Sequence, residues 1–132
     1  MRKILFVCHG NICRSAMAEY ICRYLRPEIY CESRGVSYEE QGNDMYPPAK
    51  RCLENHGIPF GRHSARRIEK CDYDDFDEIY IMDNSNRHYI NKIIDDYDNK
   101  VRMLCSHDIE DPWWTGNYEK VYEEILEGIE NL

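Results

Sequence analysis

KILFVCHGNICRSAMAEYICRYL, residues Lys3 to Leu25, is the stretch from which the fold of this 132-residue chain can be predicted. Lys3–Cys8 is a nearly continuous apolar run, which is typical of a parallel strand buried on both faces of a sheet. Ser15–Leu25 has the apolar spacing of an amphipathic helix, with Ser15 as the expected N-cap, and ends before Pro27. A buried strand, a short loop and a helix therefore open the chain.

The alternation of strand-like and helix-like segments continues to the end of the chain. Further strands are predicted at Ile29–Glu32, Asp77–Met82 and Val101–Cys105, and further helices at Pro47–Asn55, Asn84–Tyr97 and Tyr118–Ile129. The polar segment from Gly35 to Tyr46 is expected to be a loop. Right-handed crossovers between these elements give a doubly wound α/β fold, with a four-stranded parallel sheet between helices, as one domain over residues 1–132. Ligands of such sheets bind at the carboxyl ends of the strands, where the segment after Cys8 lies.

The charge distribution limits the kinds of partner. The net charge is −8, but residues 1–70 carry 12 basic and 8 acidic side chains, whereas residues 71–132 carry 5 and 17. Nucleic-acid binding needs a concentrated basic face, so we expect no nucleic-acid partner. An anionic small group bound by the N-terminal half is compatible with this balance. No apolar run approaches the roughly 20 residues that span a bilayer, so no membrane partner is expected.

The first residues and the cysteines indicate the compartment. Met1 to Lys3 has the charge of a signal peptide, but only about five apolar residues follow, fewer than an h-region needs. Seven cysteines, an odd number without CxxC pairs or zinc-finger spacing, argue against a disulfide scaffold or a zinc finger. Four of them have apolar neighbours and are expected to be small buried hydrophobes, namely Cys22, Cys31, Cys52 and Cys105. We therefore expect a reducing, cytoplasmic setting, in which a thiol can work.

The loop CHGNICR, from Cys8 to Arg14, has the composition of an anion site. Gly10 and Asn11 tolerate left-handed backbone angles, and a loop that alternates its hand turns several N–H groups inward. The helix that follows adds unpaired N–H groups and the positive end of its dipole. Arg14 adds a planar fork that can bind two oxygens of a phosphate. The sequence therefore predicts a bound oxyanion, such as phosphate or vanadate, in this loop.

Cys8 lies where these positive groups converge, which favours its thiolate form. A thiolate at that place can attack phosphorus and form a cysteinyl-phosphate that water then hydrolyses. Backbone N–H groups and Arg14 neutralise the developing charge, so neither a metal nor another cofactor is expected in the reaction. Ser15 is placed to donate a hydrogen bond to the Cys8 sulfur and stabilise it as a leaving group.

The stretch VCHGNICRS resembles the signature of the low-molecular-weight protein tyrosine phosphatases. The resemblance covers the whole chain through four further segments, ENHGI (Glu54–Ile58), HSARRI (His63–Ile68), FDEIYIMDNSN (Phe76–Asn86) and EDPWW (Glu110–Trp114). It implies a flavodoxin-like sheet and a monomeric enzyme that hydrolyses phosphotyrosine in protein substrates and small aryl phosphates. It also implies that the phosphate-binding loop consists of His9, Gly10, Asn11, Ile12, Cys13, Arg14 and Ser15.

The resemblance assigns the general acid and the walls of the cleft. Asp111 would protonate the leaving phenolate and then activate water, and Pro112 restricts the backbone of the residue before it. Trp113 and Trp114 would wall the cleft, where relatives usually carry a tyrosine pair that can be phosphorylated. Tyrosine phosphorylation is therefore not expected at these two positions. Tyr46 would contribute an aromatic ring on the opposite wall.

The remaining implications concern support and regulation. We expect Asn11 to hold the shape of the loop by hydrogen bonds, and the resemblance adds a polar network around it, formed by Ser33, His63 and Asp83. Cys13 would form a reversible disulfide with Cys8 under peroxide. His9 stands where many relatives have a small or apolar residue, and it lies near the mouth of the phosphate site.

Four other functions remain open from the sequence. Phosphoarginine phosphatases of the same fold tend to have threonine where this chain has Ile12. Related arsenate reductases use two further cysteines downstream, but none occurs between Asp72 and Leu104. A phosphate-binding or phosphocysteine carrier module without turnover would not need Asp111. A redox or metal-binding protein that uses Cys8 and Cys13 would not need an arginine in the loop.

Overall fold

The computed structural model describes all residues from Met1 to Leu132. Its centre is a parallel sheet of four strands, β1 (Lys3–Cys8), β2 (Tyr30–Gly35), β3 (Glu78–Ile81) and β4 (Val101–Met103). The strands lie in the order β2-β1-β3-β4, and every neighbouring pair is parallel. The chain changes direction across the sheet at β1, so the topological switch point lies at the carboxyl end of this strand. The predicted fold class is confirmed.

Six helices surround the sheet, α1 (Arg14–Leu25), α2 (Pro47–Asn55), α3 (Lys70–Asp75), α4 (Asn84–Ile90), α5 (Pro112–Thr115) and α6 (Tyr118–Glu130). Strand β1 is buried on both faces, as its apolar run predicts, because alternate side chains point to opposite sides. Ile4 and Phe6 pack in the core cluster that contains residues of α1, α2 and α6, whereas Leu5 and Val7 pack in the cluster on the other face. No helix has the length and apolar character needed to cross a membrane.

Several predicted boundaries are wrong. The helix predicted at Asn84–Tyr97 ends at Ile90. The carboxylate of Asp96 accepts hydrogen bonds from the backbone N–H groups of Lys100 and Val101, and this pulls the segment into a loop before β4. Helices α3 and α5 were not predicted, since each is only one to two turns long. Both begin at an acidic N-cap.

The second strand and the start of α1 also differ from the prediction. Strand β2 continues to Gly35 because its polar residues find partners: the Ser33 hydroxyl donates to Glu19 at 2.7 Å, and Arg34 donates to Asp72 at 3.3 Å. Ser15 is not the N-cap of α1. Cys13 occupies that position, without a side-chain cap, and Ser15 lies inside the helix with its hydroxyl turned to the loop. Of the cysteines expected to be buried, Cys22, Cys31 and Cys52 are buried and Cys105 is half-buried.

Candidate active site

The loop between β1 and α1 uses its carbonyl groups to bind the surrounding chain. Val36 N–H donates to the carbonyl oxygens of Cys8 and His9 at 3.0 and 2.9 Å, and Tyr46 N–H donates to Ile12 at 2.9 Å. Asn11 has a left-handed φ of 63°, as its residue type allows, and its carbonyl accepts from His63 Nε2 at 2.7 Å. The loop is therefore anchored from outside through its acceptors.

The N–H groups of the same loop have no such partners. None of the backbone N–H groups of residues 9–15 donates to another group of the protein, although Asn11, Arg14 and Ser15 are at most 2% exposed. Buried backbone donors are nearly always hydrogen-bonded, so a set of them without protein acceptors needs an acceptor from elsewhere. Consecutive N–H groups that face one concavity, at the start of a helix, form a site for an oxyanion.

The side chain of Asn11 connects the loop to α1 and β2. Its Oδ1 accepts from Arg66 N–H at 3.0 Å, and this fixes which end of the amide carries the protons. Its Nδ2 then donates to Ser15 Oγ at 2.8 Å and to Ser33 Oγ at 2.9 Å. Asn11 and Ser33 are both buried, so this network holds the loop rigidly at a place where water cannot compete.

The direction of the hydroxyl protons follows from this arrangement. Ser33 accepts from Asn11 and donates its own proton to Glu19, a 6% exposed carboxylate that also pairs with Arg23 at 2.9 Å. Ser15 likewise accepts from Asn11, so its own proton is free to point to Cys8 Sγ at 3.0 Å or to a main-chain carbonyl at 3.2 Å. Glu19 was missed by the sequence reasoning; its only signal is a carboxylate within the apolar run of α1.

Arg14 is held in the loop from one side. Its Nη1 donates to Asp83 Oδ2 at 2.6 Å and to the carbonyl of Ile109 at 2.8 Å, which fixes the plane of the guanidinium. Burial opposes the charged form, but the negative charges at Cys8 and Asp83 outweigh it, and the pKa of Arg14 is raised. The side chain is 2% exposed, so this cation is shielded from solvent and can act strongly on an oxyanion in the loop.

Asp111 lies on the opposite side of the same cleft. It is the N-cap of α5, and its Oδ1 accepts from Trp113 N–H at 3.1 Å. Its Oδ2 is 3.7 Å from Arg14 Nη2, so one oxygen remains directed toward the phosphate site. The carboxylate is 29% exposed and has access to solvent, which a group that exchanges protons with water requires.

The sulfur, the arginine and the carboxylate share one cleft of about 570 Å³. The predicted site residues that line it are Cys8, His9, Gly10, Ile12, Cys13, Arg14, Asp83, Asp111, Trp113 and Trp114. The prediction for Tyr46 is wrong: it does not line the cleft on the opposite wall, but packs against Trp113 with ring centroids 4.7 Å apart. Asn11, Ser15, Ser33 and His63 do not line the cleft, and all four are buried.

Comparison with known proteins identifies the family. The family model described as low molecular weight phosphotyrosine protein phosphatase matches residues 3–132. This chain belongs to that family. The expectation drawn from the VCHGNICRS stretch is therefore confirmed, and the protein is a phosphatase.

Individual relatives of this phosphatase agree along nearly the whole chain. The low molecular weight protein-tyrosine-phosphatase YfkJ of Bacillus subtilis is 35% identical over 150 residues, which cover 100% of this chain and 94% of YfkJ. The crystal structure of SP-PTP from Streptococcus pyogenes has a TM-score of 0.91 at 29% identity and covers 99% of this chain and 90% of that one. The structure of DARP, a Drosophila arginine phosphatase, has a TM-score of 0.87 at 31% identity, covering 98% and 94%.

The rim of the phosphatase cleft contains residues that the sequence reasoning missed. Glu39 and Glu40, called here the acidic lip, line the cleft on the side of the loop after β2. His9 Nε2 lies 3.8 Å from Glu39 Oε1, and the His9 ring meets Tyr89 edge-on at 5.6 Å. The rim therefore combines two carboxylates with aromatic rings. No sequence motif indicates these two glutamates, because the segment that contains them has the composition of an ordinary polar loop.

The second cysteine of the phosphatase loop is buried against α6. Cys13 is 4% exposed, and its Sγ lies 3.7 Å from the hydroxyl of Tyr118. Burial raises the pKa of the Cys13 thiol to about 12, and the negative charge at Cys8 acts in the same direction. Cys13 is therefore a neutral thiol near neutral pH. Tyr118, from the first turn of α6, was not predicted to contribute to this site.

We expect Gly35→Ala to damage the phosphatase by displacing its loop. A Cβ at position 35 would lie 2.8 Å from the carbonyl oxygen of His9 and 3.2 Å from Cβ of Asn11, and backbone cannot move aside cheaply. Forcing atoms into such a packed place costs about 1–3 kcal/mol of unfolding free energy, and the shifted loop should lower kcat/KM at least tenfold. Gly61→Ala is the matched control, because nothing lies within 4 Å of its added Cβ. Denaturation and steady-state kinetics measure both effects, and equal behaviour of the two variants would contradict the prediction.

Proposed function

We propose that this phosphatase hydrolyses phosphotyrosine in proteins, as well as small aryl phosphates, through a cysteinyl-phosphate on Cys8. One observation carries the proposal: the N–H groups of residues 9–15 have no protein acceptor, and their loop lines one cleft together with the Cys8 thiol and a buried arginine. A phosphoryl group places three equatorial oxygens where such donors can reach them, with phosphorus against the sulfur. We propose that residues 1–132 form a single phosphatase domain.

In the first step, the Cys8 thiolate attacks phosphorus in line with the phenolic oxygen. The S–P bond forms while the P–O bond to the phenol breaks, and the leaving oxygen takes a proton from Asp111. Arg14 and the loop N–H groups bind the equatorial oxygens, whose charge increases in the transition state. Asp83 and the Ile109 carbonyl keep the guanidinium plane in place, which lowers the cost of orienting it during the reaction.

In the second step, water attacks the phosphoryl group of the intermediate. The Asp111 carboxylate takes the proton from this water, the S–P bond breaks, and inorganic phosphate forms. The sulfur leaves as a thiolate, which the hydroxyl of Ser15 stabilises from 3.0 Å. Asn11 supports this role, since it donates to Ser15 and so leaves the Ser15 proton free to point to the sulfur. The mechanism uses no metal or cofactor.

The shape and charge of the cleft support a preference among phosphopeptides. Cys8 is 3% exposed at the base of the cleft, so a phosphate on a long aromatic side chain is well suited to reach it. The ring would pack against Trp113, which Tyr46 supports from behind. The acidic lip of Glu39 and Glu40 at the other side favours peptides with lysine or arginine beside the phosphotyrosine. We propose a monomeric enzyme acting in the cytoplasm, where its seven free cysteines stay reduced.

Phosphoarginine is a second candidate substrate. The 31% identity to the Drosophila arginine phosphatase favours it, because a protein of the same fold is described as acting on arginine. The side chain of Ile12 lines the cleft of this chain and adds apolar surface near the phosphate, which suits an aryl ring better than a charged guanidino group.

Hydrolysis assays test the proposed function directly. We expect p-nitrophenyl phosphate to be hydrolysed in the presence of a strong chelator and vanadate to inhibit competitively. Phosphotyrosine peptides with flanking lysines should have a higher kcat/KM than the same peptides with flanking glutamates, and free phosphoarginine should be a poorer substrate. Phosphate binding without any turnover would favour the carrier module, and a higher kcat/KM for phosphoarginine would favour the second candidate.

We also propose that Cys13 protects Cys8 from irreversible oxidation. Peroxide oxidises the Cys8 thiolate to a sulfenic acid, and the neutral Cys13 thiol in the same loop then condenses with it, forming a disulfide and releasing water. Peroxide should therefore inactivate the enzyme in a way that dithiothreitol reverses. In the Cys13→Ser variant the same treatment should cause a loss of activity that dithiothreitol does not reverse. Equal recovery of the two proteins would contradict this role.

A further inference from the structure

A group of metal-ligating side chains lies between α2 and α6, outside the cleft of the phosphate loop. Cys52 and His56 are one helical turn apart at the end of α2, and Glu119 lies in the first turn of α6. Cys52 Sγ is 3.6 Å from Glu119 Oε1, and His56 Nε2 is 2.6 Å from Glu119 Oε2. One ligand atom from each residue lies within 4.8 Å of the other two. A thiol, an imidazole and a carboxylate thus converge without any role in the reaction.

Two of the separations can be compared with those that a tetrahedral zinc ion imposes. With Zn–S near 2.3 Å and Zn–O and Zn–N near 2.0–2.2 Å, ligand atoms lie about 3.6 Å apart for a sulfur–oxygen pair and about 3.4 Å for a nitrogen–oxygen pair. The Cys52–Glu119 distance of 3.6 Å already has the first value. His56 Nε2 approaches the other carboxylate oxygen, Oε2, at 2.6 Å. This pair has to separate by less than about 1 Å, which the exposed carboxylate permits.

The surroundings prepare these side chains for a cation. The His56 ring stacks on Tyr122 with centroids 3.8 Å apart and planes 11° from parallel, and this orients the imidazole before any metal arrives. The carboxylates of Glu119 and Glu123 place negative charge near the Cys52 thiol. The same negative charges attract a divalent cation, and Cys52 is 3% exposed, so a metal-bound thiolate there would be shielded from oxidants.

We propose that Cys52, His56 and Glu119 bind a zinc ion, with solvent as the fourth ligand. Binding forms a Zn–S bond and breaks the S–H bond of Cys52; the proton passes to solvent, and no atom changes its oxidation state. A thiolate with an imidazole selects zinc over magnesium or calcium, which prefer oxygen ligands. The ion joins the end of α2 to the start of α6, beside Tyr118, whose hydroxyl contacts Cys13 of the loop.

Cobalt(II) is the spectroscopic probe for this site, used in the Cys8→Ser background to remove the active-site thiol as a competitor. We expect one equivalent to produce a near-ultraviolet thiolate-to-cobalt charge-transfer band together with tetrahedral visible bands, and zinc to displace it. Cys52→Ser should abolish the charge-transfer band. His56→Gln and Glu119→Gln, which change exposed side chains and should not disturb folding, should each weaken metal binding at least tenfold.

Cys71→Ser is the matched control, since Cys71 forms the other thiol–carboxylate group of the chain, with Asp72 and Asp75, and should leave the spectrum unchanged. Zinc should also raise the unfolding midpoint of the Cys8→Ser protein by roughly 5 °C, and not that of its His56→Gln derivative. A charge-transfer band that survives Cys52→Ser, an absent band at one equivalent of cobalt, or equal zinc stabilisation after His56→Gln would each overturn the proposal.

Discussion

The Cys8→Ser variant is expected to lose p-nitrophenyl phosphate hydrolysis by a factor of about 10⁴ or more in kcat. A serine hydroxyl at the base of the cleft does not ionise near neutral pH, so the donors of the loop would surround a phosphate that nothing attacks. The loop itself should keep its shape, because Asn11, His63 and Arg66 hold it through bonds that do not involve the sulfur. Steady-state kinetics of the purified variant measure the loss.

Two further measurements distinguish a lost nucleophile from a damaged fold. Cys8→Ser should still bind inorganic phosphate within a few-fold of the parent affinity, as calorimetry would show, since the N–H groups and Arg14 remain. Cys71→Ser, which changes an exposed cysteine away from the cleft, should keep full activity. If Cys8→Ser retained more than a hundredth of the parent kcat, the nucleophile would have to be another group.

The second large effect is expected from Asp111→Asn, and it should depend on the leaving group. An amide cannot give a proton to the departing phenolate, so kcat should fall by about 10² for p-nitrophenyl phosphate and by about 10³–10⁴ for phenyl phosphate, whose phenolate leaves less readily. Asparagine is as good an N-cap as aspartate, so α5 should keep its structure and the position of Trp113. A series of aryl phosphates measures the slope of log kcat against the pKa of the leaving phenol.

The slope separates two roles for this carboxylate. Asp111 lies 3.7 Å from Arg14, so it contributes to the electrostatic environment of the guanidinium as well as facing the cleft. A loss that is the same for every leaving group would show that Asp111 only positions Arg14. Asp108→Asn is the matched control. Asp108 lies in the same loop between β4 and α5, but its carboxylate accepts from Asn84 N–H outside the cleft. It should leave both kcat and the slope unchanged.

Local sequence was enough for the centre of the fold and of the site. The apolar run of β1 and the amphipathic pattern of α1 are properties of short segments, and they place the connecting loop at the carboxyl edge of a parallel sheet. Cys8 and Arg14 are six residues apart in that loop, so their proximity follows from the chain connection itself. Helix α4 and strand β2, by contrast, were predicted with wrong ends, because Asp96 binds the backbone of the loop before β4 and Glu19, from α1, binds Ser33 of β2.

What the sequence by itself determined was the parallel α/β architecture, the anion-binding loop and the residue types for thiol chemistry. Only the tertiary structure decided which distant groups complete them: Asp83 fixes the plane of Arg14, Glu19 takes the proton of Ser33, the acidic lip lies across the cleft, and His56 meets Glu119. The physical reason is that apolar periodicity and loop composition act over a few residues. Pairing between buried polar groups depends instead on where the packed core brings segments that are tens of residues apart.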